Sequence, residues 1–293
     1  KLKKQHMTIH WKAIVQDDSS IPATEATLKE KATLVGRIGL MMLSVGTGAW
    51  RVRNSMNKVA RCLGITCTAD IGLLAISYTC IEGTDTYTQS ISNPTTGVNT
   101  HKLMQLELFM KEFPDKVSTY SVKHIHEVLD EIQKLPANYK AWNLGLASAL
   151  ACGAFTFLLG GGPVEMCCAF LGAGVGNFVR KKMLGHSISL LANVAVSVAA
   201  SCLVYVLTIL LAQSLLSVSA VHQAGYICAM LFVIPGFPLI TGGIDLAKLD
   251  LRSGLERVSY ALLIILTATM TGWATAVICH FQPADFEPLE LQK

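Results

Sequence analysis

"FVIPGFPLITGGIDLAKLDLRSGLERVSYALLI", residues 232–264, interrupts an apolar run with two prolines and two adjacent glycines. A short charged stretch follows, and then a second apolar run begins. Because proline removes a backbone donor and glycine loosens a helix, Pro235 and Pro238 predict a break, and Gly242 and Gly243 predict a loosened turn after it. In lipid, freed backbone groups are tolerated only where protein covers them or where they line a cavity. The stretch therefore predicts either a polar path beside this helix or a purely structural kink.

Composition indicates a membrane protein. The chain has 293 residues, of which 52% are hydrophobic and only 15% are charged. Residues 1–142 contain 17 of the 24 Lys and Arg, and Glu165 is the only charge between Ala141 and Val179. Such a distribution is not typical of soluble domains, and no nucleic-acid partner is expected. We predict a polar leader (1–25), a cytoplasmic α+β domain (26–142), a transmembrane domain (143–281) and a short extracytoplasmic tail (282–293).

The apolar region has room for five membrane-spanning helices, each of which needs about 20 residues. We place them near 143–162, 164–183, 187–212, 219–240 and 257–280. The loops after the second and fourth spans carry Lys and Arg, among them Arg180, Lys181 and Arg257, whereas the opposite loops carry none. The positive-inside rule then predicts a cell (inner) membrane protein with its N-terminus in the cytoplasm and its C-terminus outside.

The N-terminal region is predicted to be a small α+β domain. "ATEATLKEKATLVGRIGLMMLSVG" reads as a helix capped by Thr24 or Thr27, and "WRVRNSMNKVARCLGI" reads as a second, amphipathic helix. "LLAISYTCIEGTDTYTQSIS" alternates around a turn, as a β-hairpin does. Two more helices are predicted in "HKLMQLELFMKEF" and "SVKHIHEVLDEIQKL".

No motif for an enzyme, a cofactor or a metal site is visible. In "KHIHE", His124 and His126 point to different faces of a helix, so we expect a solvated helix surface rather than a shared metal. "GTGAW", residues 46–50, resembles a phosphate-binding turn only loosely, because it follows a predicted helix rather than a strand. The nine cysteines are scattered and contain no CxxC pair. We therefore predict that the chain is not an enzyme.

Small and polar residues within the spans predict contacts between helices. Glycines four or eight residues apart let helix backbones approach closely. They are Gly145 and Gly153 in the first span, and Gly172 and Gly176 in the second. Asn177 and Asn193 are read either as hydrogen-bond partners between helices or as substrate ligands.

Four segments resemble the threonine/serine exporter family. The most specific is the Pro-Gly-x-Pro-Leu block, followed by an Asp and then by Ser/Thr-Gly-Leu-x-Arg, which here runs from Pro235, Gly236 and Pro238 through Asp245 to Arg257. The others are "LLGGGP", "GAWRVRNSMNKVARCLGI" and "LDEIQKLPANYKAW". Thr241 stands where Asn is common in two-gene members, which weakens any transfer of substrate identity.

The resemblance implies a cytoplasmic α+β domain, five transmembrane helices and export of small polar metabolites. The chain is similar to the larger subunit of the split type, which works with a separate small five-span subunit as the other half of an inverted repeat. The implied substrates are a C4-dicarboxylate such as succinate, or threonine and serine. Membrane lipids are expected around the spans, and homo-oligomerisation stays open.

We predict that the path is lined by the residues at the break and by two asparagines: Pro235, Gly236, Pro238, Thr241, Gly242, Asp245, Asn177 and Asn193. Asp245 is a candidate for ion or proton coupling or a helix-cap anchor, and an ion pair with Arg257 that fixes the turn is an equal alternative. Arg180, Lys181 and Arg257 would attract anions at the cytoplasmic mouth. The rival hypothesis is a membrane-anchored sensor or scaffold whose cytoplasmic domain binds a ligand or protein.

Overall fold

A computed structural model describes residues 11, 21–92, 97–136, 139–184, 188–216, 221–281 and 286–287. Contacts within the chain divide it into two compact units. The first consists of residues 1–136 and 237–259, and the second of residues 137–236 and 260–293. Most of the predicted leader (1–25) and tail (282–293) lies outside the described residues.

The first unit combines helices with one three-stranded sheet. Its N-terminal helices are α1 (Leu28–Ser44), α2 (Ala49–Cys62), α3 (Thr100–Lys116) and α4 (Val122–Lys134), and a 3-10 turn at Ala23–Glu25 precedes them. Its strands are β1 (Thr66–Ile71), β2 (Ala75–Glu82) and β3 (Asp85–Ser92), antiparallel in the order β1-β2-β3. The hairpin predicted from the alternating stretch is β2 and β3, whereas β1 was not predicted.

α1 begins at a capping box. The Thr27 side chain accepts a hydrogen bond from the Glu30 backbone, and the Glu30 carboxylate accepts one from the Thr27 backbone at 3.1 Å. This arrangement satisfies two of the backbone donors that are left over at a helix start. Of the two caps predicted, Thr24 and Thr27, Thr27 starts the helix.

The core of the first unit lies between α1 and the sheet. α1 is buried along most of its length, including Leu34 and Ile38, which are 0% exposed. Tyr78 of β2 lies across α1 at Gly36, where an added Cβ would be only 2.2 Å from the tyrosine oxygen. A glycine is needed at Gly36 because the helix and the sheet approach this closely.

The expectation of a solvated surface at "KHIHE" is wrong for His126. His124 is exposed, but His126 is 3% exposed and its Nδ1 lies 2.9 Å from the Arg37 guanidinium. Arg37 also donates to the His126 carbonyl at 2.9 Å and pairs with Asp130. Burial, and then the nearby Arg37 charge, lower the pKa of His126 to about 4. The sequence hid this contact because the partner of His126 is 89 residues away.

The second unit is built from long apolar helices. They are α5 (Ala141–Leu158), α6 (Pro163–Met183), α7 (Leu190–Leu216), the short α8 (Gln223–Ala229) and the part of a last helix, α10 (Leu251–Ile278), that follows residue 259. A 3-10 turn at Leu231–Val233 follows α8. The next helix, α9 (Gly236–Ala247), belongs to the first unit from residue 237 onward, as does the start of α10 up to residue 259. Two short parallel strands, β4 (Val221–His222) and β5 (Phe286–Glu287), pair with each other. α6 packs against α5, α7 and α8.

Three described helices are long and apolar enough to cross a membrane. They are α5, residues Leu190–Leu215 of α7, and α10, and the interrupted segment Ala224–Val233 with Gly236–Ala247 is a fourth candidate, as a broken span or a re-entrant loop. α6 is less apolar because it carries Glu165 in its first turn and Arg180, Lys181 and Lys182 in its last. Large apolar side chains such as Leu207 (65%) and Trp273 (69%) are exposed, as expected of helices that face lipid.

Candidate functional site

The predicted break lies at residues 234 and 235, between the 3-10 turn and α9. In a continuous helix, residue 235 would donate to the Leu231 carbonyl, but Pro235 has no N–H. The Leu231 carbonyl accepts instead from the Ile234 N–H at 3.1 Å, in the tighter 3-10 pattern. The Gly236 N–H turns to the Ile234 carbonyl at 2.9 Å. In a continuous helix the Gly236 N–H would donate to the Phe232 carbonyl, so this carbonyl is left without its helical partner.

A side chain from α6 takes up the released carbonyl. Arg180 Nη1 donates to the Phe232 oxygen at 3.1 Å. The backbone carbonyl of Arg180 in turn accepts from Asn193 Nδ2 of α7 at 3.3 Å. Asn193 is 3% exposed, and its Oδ1 has no hydrogen-bond partner among the described residues. The break is therefore bordered by a guanidinium, and the backbone of the same arginine is bound by an amide whose oxygen has no partner among the described residues.

The structure corrects the roles predicted for the residues after the break. Pro238 lies in the first turn of α9 and does not interrupt it, because the backbone donors of a first turn have no helical partner in any case. Gly242 and Gly243 lie inside the continuous α9 and do not loosen it. A Cβ on Gly242 would lie 3.1 Å from Arg257 Cβ, whereas one on Gly243 would meet nothing within 4 Å. Gly242 serves the close packing of α9 against the start of α10.

Asp245 and Arg257 form a buried ion pair between these two helices. Asp245 Oδ2 lies 3.2 Å from Arg257 Nε, and the two side chains are 0% and 4% exposed. Ser253 Oγ donates to Asp245 Oδ2 at 2.9 Å. Arg257 Nη2 donates to the Thr47 carbonyl at 2.7 Å, and Arg257 Nη1 lies 3.5 Å from Thr241 Oγ1. The pair was expected near the cytosolic surface, but it is enclosed by protein.

The Asp245 carboxylate also lies at the start of α2. The Ala49 N–H donates to both carboxylate oxygens, at 3.0 and 3.1 Å. A Cβ on Gly48 would lie 2.9 Å from Asp245 Oδ1, so the turn approaches the carboxylate closely because it lacks a side chain there. Helix N-termini favour anions. The "GTGAW" turn thus binds an anion, and the anion is a side chain of the same chain.

Further contacts attach the hairpin of α9 and α10 to the first unit. Arg53 pairs with Asp250 at 2.7 Å, and the Leu73 N–H donates to the Glu256 carboxylate at 2.6 Å. Arg252 pairs with Asp70 and, at 3.2 Å, with Glu256. These contacts explain why residues 237–259 belong to the first unit. The contacts made by Arg53, Leu73 and Asp70 join residues about 180 to 200 positions apart, so periodicity and spacing could not reveal them.

Asn177 and the glycines proposed for packing lie between helices of the second unit. Asn177 Nδ2 donates to the Leu144 carbonyl at 3.0 Å and to Ser148 Oγ at 2.5 Å. A Cβ on any of the four glycines would meet a neighbouring helix or turn within 3.4 Å. The nearest atoms are the Gly174 oxygen for Gly145, the Met166 oxygen for Gly153, the Ser201 oxygen for Gly172, and the Phe232 and Ser201 side chains for Gly176. Asn177 therefore holds α6 to α5.

The predicted site residues thus lie in separate places. Thr241, Gly242, Asp245 and Arg257 meet in the first unit. In the second unit Arg180 contacts the break at Pro235 and Gly236, Asn193 contacts the Arg180 backbone, and Asn177 lies apart, between α5 and α6. Lys181 follows Arg180 on α6 and is half-buried. No group of three or more His, Cys, Asp or Glu residues suited to a metal occurs in the described part of the chain. The donors and acceptors of the residues in the first unit already bind each other, whereas in the second unit Asn193 Oδ1 has no hydrogen-bond partner among the described residues.

Comparisons with known proteins agree with the resemblance read from the sequence. Residues 33–279 match the threonine/serine exporter family, ThrE. The "Probable succinate transporter subunit YjjP" of Klebsiella aerogenes is 25% identical over 241 residues, which cover 81% of this chain and 89% of that protein. The protein of the same name from Escherichia coli strain K12 is 24% identical over 240 residues, covering 82% and 90%. No solved structure matches the chain.

Proposed function

Because the chain belongs to the threonine/serine exporter family, we propose that it is one subunit of a membrane exporter that works with a separate, small five-span partner. The family and the apolar helices support a membrane protein whose activity is transport rather than catalysis. The alternative of a membrane-anchored sensor or scaffold needs only one or two spans, and it gives no reason for a broken helix next to an arginine.

The observation that carries the proposal is the contact of Arg180 with the broken helix. A guanidinium has five N–H donors in a planar fork that matches a carboxylate. The Phe232 carbonyl uses one of them, at 3.1 Å. Irregular backbone at membrane depth is tolerated where it lines a cavity, and broken helices form the substrate sites of many transporters. We assign Arg180, Asn193 and the backbone at Pro235 and Gly236 to the translocation path.

The substrate we propose is a small metabolite with a carboxylate. Both curated relatives are named as succinate transporter subunits, and the family is named for threonine and serine. Succinate, threonine and serine share a carboxylate, which Arg180 can bind in a bidentate manner. Asn193 Oδ1 is an acceptor, and it would favour a hydroxyl or ammonium group if the substrate is an amino acid.

The partner follows from the word "subunit" in the names of both relatives and from the proposed count of spans. If α5, α6, α7, the broken segment and α10 each cross the membrane, their number is odd. A second five-span unit then starts on the opposite side and can form an inverted repeat with the first. We propose that the basic end of α6 faces the cytoplasm, so that Arg180 and Lys181 meet anionic metabolites at the inner mouth.

Asp245 and Arg257 have a different role in this proposal. Their side chains already bind each other and form hydrogen bonds with Ser253, Thr47 and Ala49. We propose that they anchor the hairpin that follows the break, and that Thr241 and Gly242 hold α9 and α10 together beside them. Because α9 is anchored in this way, the backbone at the break before it can keep its conformation while substrate passes.

Transport in liposomes tests the proposal. The chain is co-expressed and reconstituted with a small five-span family member from the same genome, and efflux of labelled succinate, threonine and serine is measured. We expect Arg180→Gln to abolish efflux of the transported substrate, Arg180→Lys to retain part of it, and Lys182→Gln to leave it unchanged, because Lys182 lies in the same turn but is exposed. Equal efflux from wild type and Arg180→Gln would remove Arg180 from the path, and no efflux of any carboxylate would contradict the exporter.

A further inference from the structure

A second buried polar cluster lies in the second unit, at the start of α6. It consists of Glu165 on α6, Tyr205 on α7 and Gly225 on α8, and Glu165 and Tyr205 are 6% and 0% exposed. Glu165 is the only acidic residue in the sequence between residues 137 and 236 and between 260 and 281. Ionisable side chains inside a membrane bundle are costly, and they commonly serve ion or proton pathways.

The turn before α6 places the Glu165 carboxylate over the helix start. Gly160 has a φ of +91°, which favours glycine, and Gly162 is the residue that precedes the helix. A Cβ on Gly162 would lie 2.8 Å from Glu165 Oε2. The carboxylate therefore lies close to the start of α6, where the backbone N–H groups of the first turn have no helical partner.

Tyr205 supplies an independent sign of a ligand. Its hydroxyl is buried and has no hydrogen-bond partner among the described residues, whereas the hydroxyl of the neighbouring Tyr226 donates to the Gly272 carbonyl at 2.7 Å. A buried hydroxyl without a partner is costly, so a further group is expected to serve it. A Cβ on Gly225 would lie 2.3 Å from the Tyr205 oxygen and 2.9 Å from Glu165 Cβ, so the absence of a side chain at Gly225 lets the hydroxyl of Tyr205 and the base of the Glu165 side chain lie against the same residue.

We propose that Glu165 and Tyr205 form the proton-binding site that couples export to the proton gradient, an inference that rests on the proposed function. A proton from water on the side of Glu165 bonds to a carboxylate oxygen. The protonated carboxyl is a donor as well as an acceptor, and the Tyr205 hydroxyl, which has no partner among the described residues, is the group we propose it turns to. Release of the same proton to water on the other side restores the carboxylate, so one proton moves inward for each outward step.

Among the side chains that the structure describes, the titratable groups around this cluster are thiols and phenols. They are Cys167 and Cys168 on α6, Cys228 and Tyr226 on α8, Cys152 on α5, Cys202 on α7 and Cys279 after α10. The basic residues of α6 begin at Arg180, 15 residues from Glu165, which is about 22 Å along a helix. The orientation proposed above puts the Glu165 end of α6 on the outer side, where an inward-moving proton enters.

Two flux assays on the same liposomes separate coupling from substrate binding. In counterflow, labelled substrate exchanges without a gradient, and in the second assay a pH gradient drives net movement. We expect Glu165→Gln to lower gradient-driven flux by about tenfold or more while counterflow stays within about twofold of wild type, since only the coupling is lost. Tyr205→Phe is expected to shift the pH dependence of flux, and Glu107→Gln, an exposed acid of α3, is the control.

Intact gradient-driven flux in Glu165→Gln overturns the proposal. If Glu165→Gln does not fold, Glu165→Asp replaces it, and a pH dependence identical to wild type is the overturning result. Absence of counterflow in the wild type would instead contradict the exporter itself. Infrared difference spectra between acidic and alkaline buffer, recorded on the full chain in lipid nanodiscs, provide a second readout. A band of a buried carboxyl group that is present in wild type and lost in Glu165→Gln supports the proton site. The absence of such a band in wild type overturns it.

Discussion

Asp245 has donors on three sides, from the Ala49 backbone, the Ser253 hydroxyl and the Arg257 guanidinium. Asp245→Asn leaves Arg257 buried without its counter-charge, so we expect a loss of about 3–5 kcal/mol in the free energy of unfolding. The measurement is thermal unfolding of the full chain in detergent. Asp250→Asn is the matched control, because Asp250 pairs with a partly exposed Arg53 and should cost about 1 kcal/mol or less.

The same variants decide between an anchoring and a coupling role for Asp245. If Asp245→Asn keeps the wild-type melting temperature and yet loses flux in liposomes, the carboxylate acts in transport and the anchoring role is wrong. If the melting temperature falls and the protein that remains folded still transports, the ion pair is structural. Replacing both partners, Asp245→Asn with Arg257→Met, should recover part of the lost stability, because no buried charge is then left alone.

His126 makes the stability of the first unit depend on pH. Its pKa is lowered from 6.5 to about 4 by burial and by Arg37, so the unfolded chain binds the proton more readily than the folded one. The contribution of neutral His126 to the free energy of unfolding is fully present above pH 6.5. It is lost as the pH falls from 6.5 through the folded pKa, and the total loss is about 3 kcal/mol. We expect His126→Gln to flatten the melting temperature between pH 4 and 6.5, whereas His124→Gln, an exposed neighbour, should not. Identical pH profiles for wild type and His126→Gln would contradict this assignment.

At the scale of elements, the adjacent glycines of α9 provide a direct comparison. Gly242 faces α10 with atoms of Arg257, Val258 and Gly254 at 3.1 to 3.2 Å from an added Cβ, and Gly243 faces open space. We expect Gly242→Leu to lose about 1–3 kcal/mol of stability through overpacking. Gly243→Leu should gain up to about 1 kcal/mol, because leucine favours a helix more than glycine does. Thermal unfolding in detergent measures both, and equal effects at the two positions would show that α9 does not pack as described.

How much of each element the sequence predicts depends on the range of the interaction that fixes it. The α1 cap at Thr27, the hairpin of β2 and β3 and the break at Pro235 depend on neighbours a few residues apart, and periodicity or a missing N–H reveals them. β1 was missed because it is short and because no clear turn signal separates it from β2. The two strands pair from Ile71 opposite Ile76 onward. The contact of Asp245 with Ala49 spans 196 residues. The sequence showed an anion-binding turn and a carboxylate, but not that one binds the other.

At the scale of the whole molecule, α6 determines how many times the chain crosses the membrane. Three described helices, or four with the broken segment, are apolar enough to span, and α6 is the fifth helix of the proposed set. Glu165 and Asn177 lower its apolar character, but both are buried by the helices that pack around it, so neither has to face lipid. We therefore expect α6 to cross, and with the broken segment as a further crossing the number is five, which is odd.

An odd number of crossings puts Lys111 and His280 on opposite sides of the membrane. Both are exposed, so each can be replaced by cysteine in a chain whose native cysteines have been changed to serine or alanine. We expect a membrane-impermeant thiol reagent to label His280→Cys in intact cells and Lys111→Cys only in inverted vesicles, because basic flanking loops stay in the cytoplasm. Labelling after detergent lysis shows that both thiols react. Labelling of both positions from the same side would mean an even number of crossings, and an inverted repeat with a five-span partner would then be impossible.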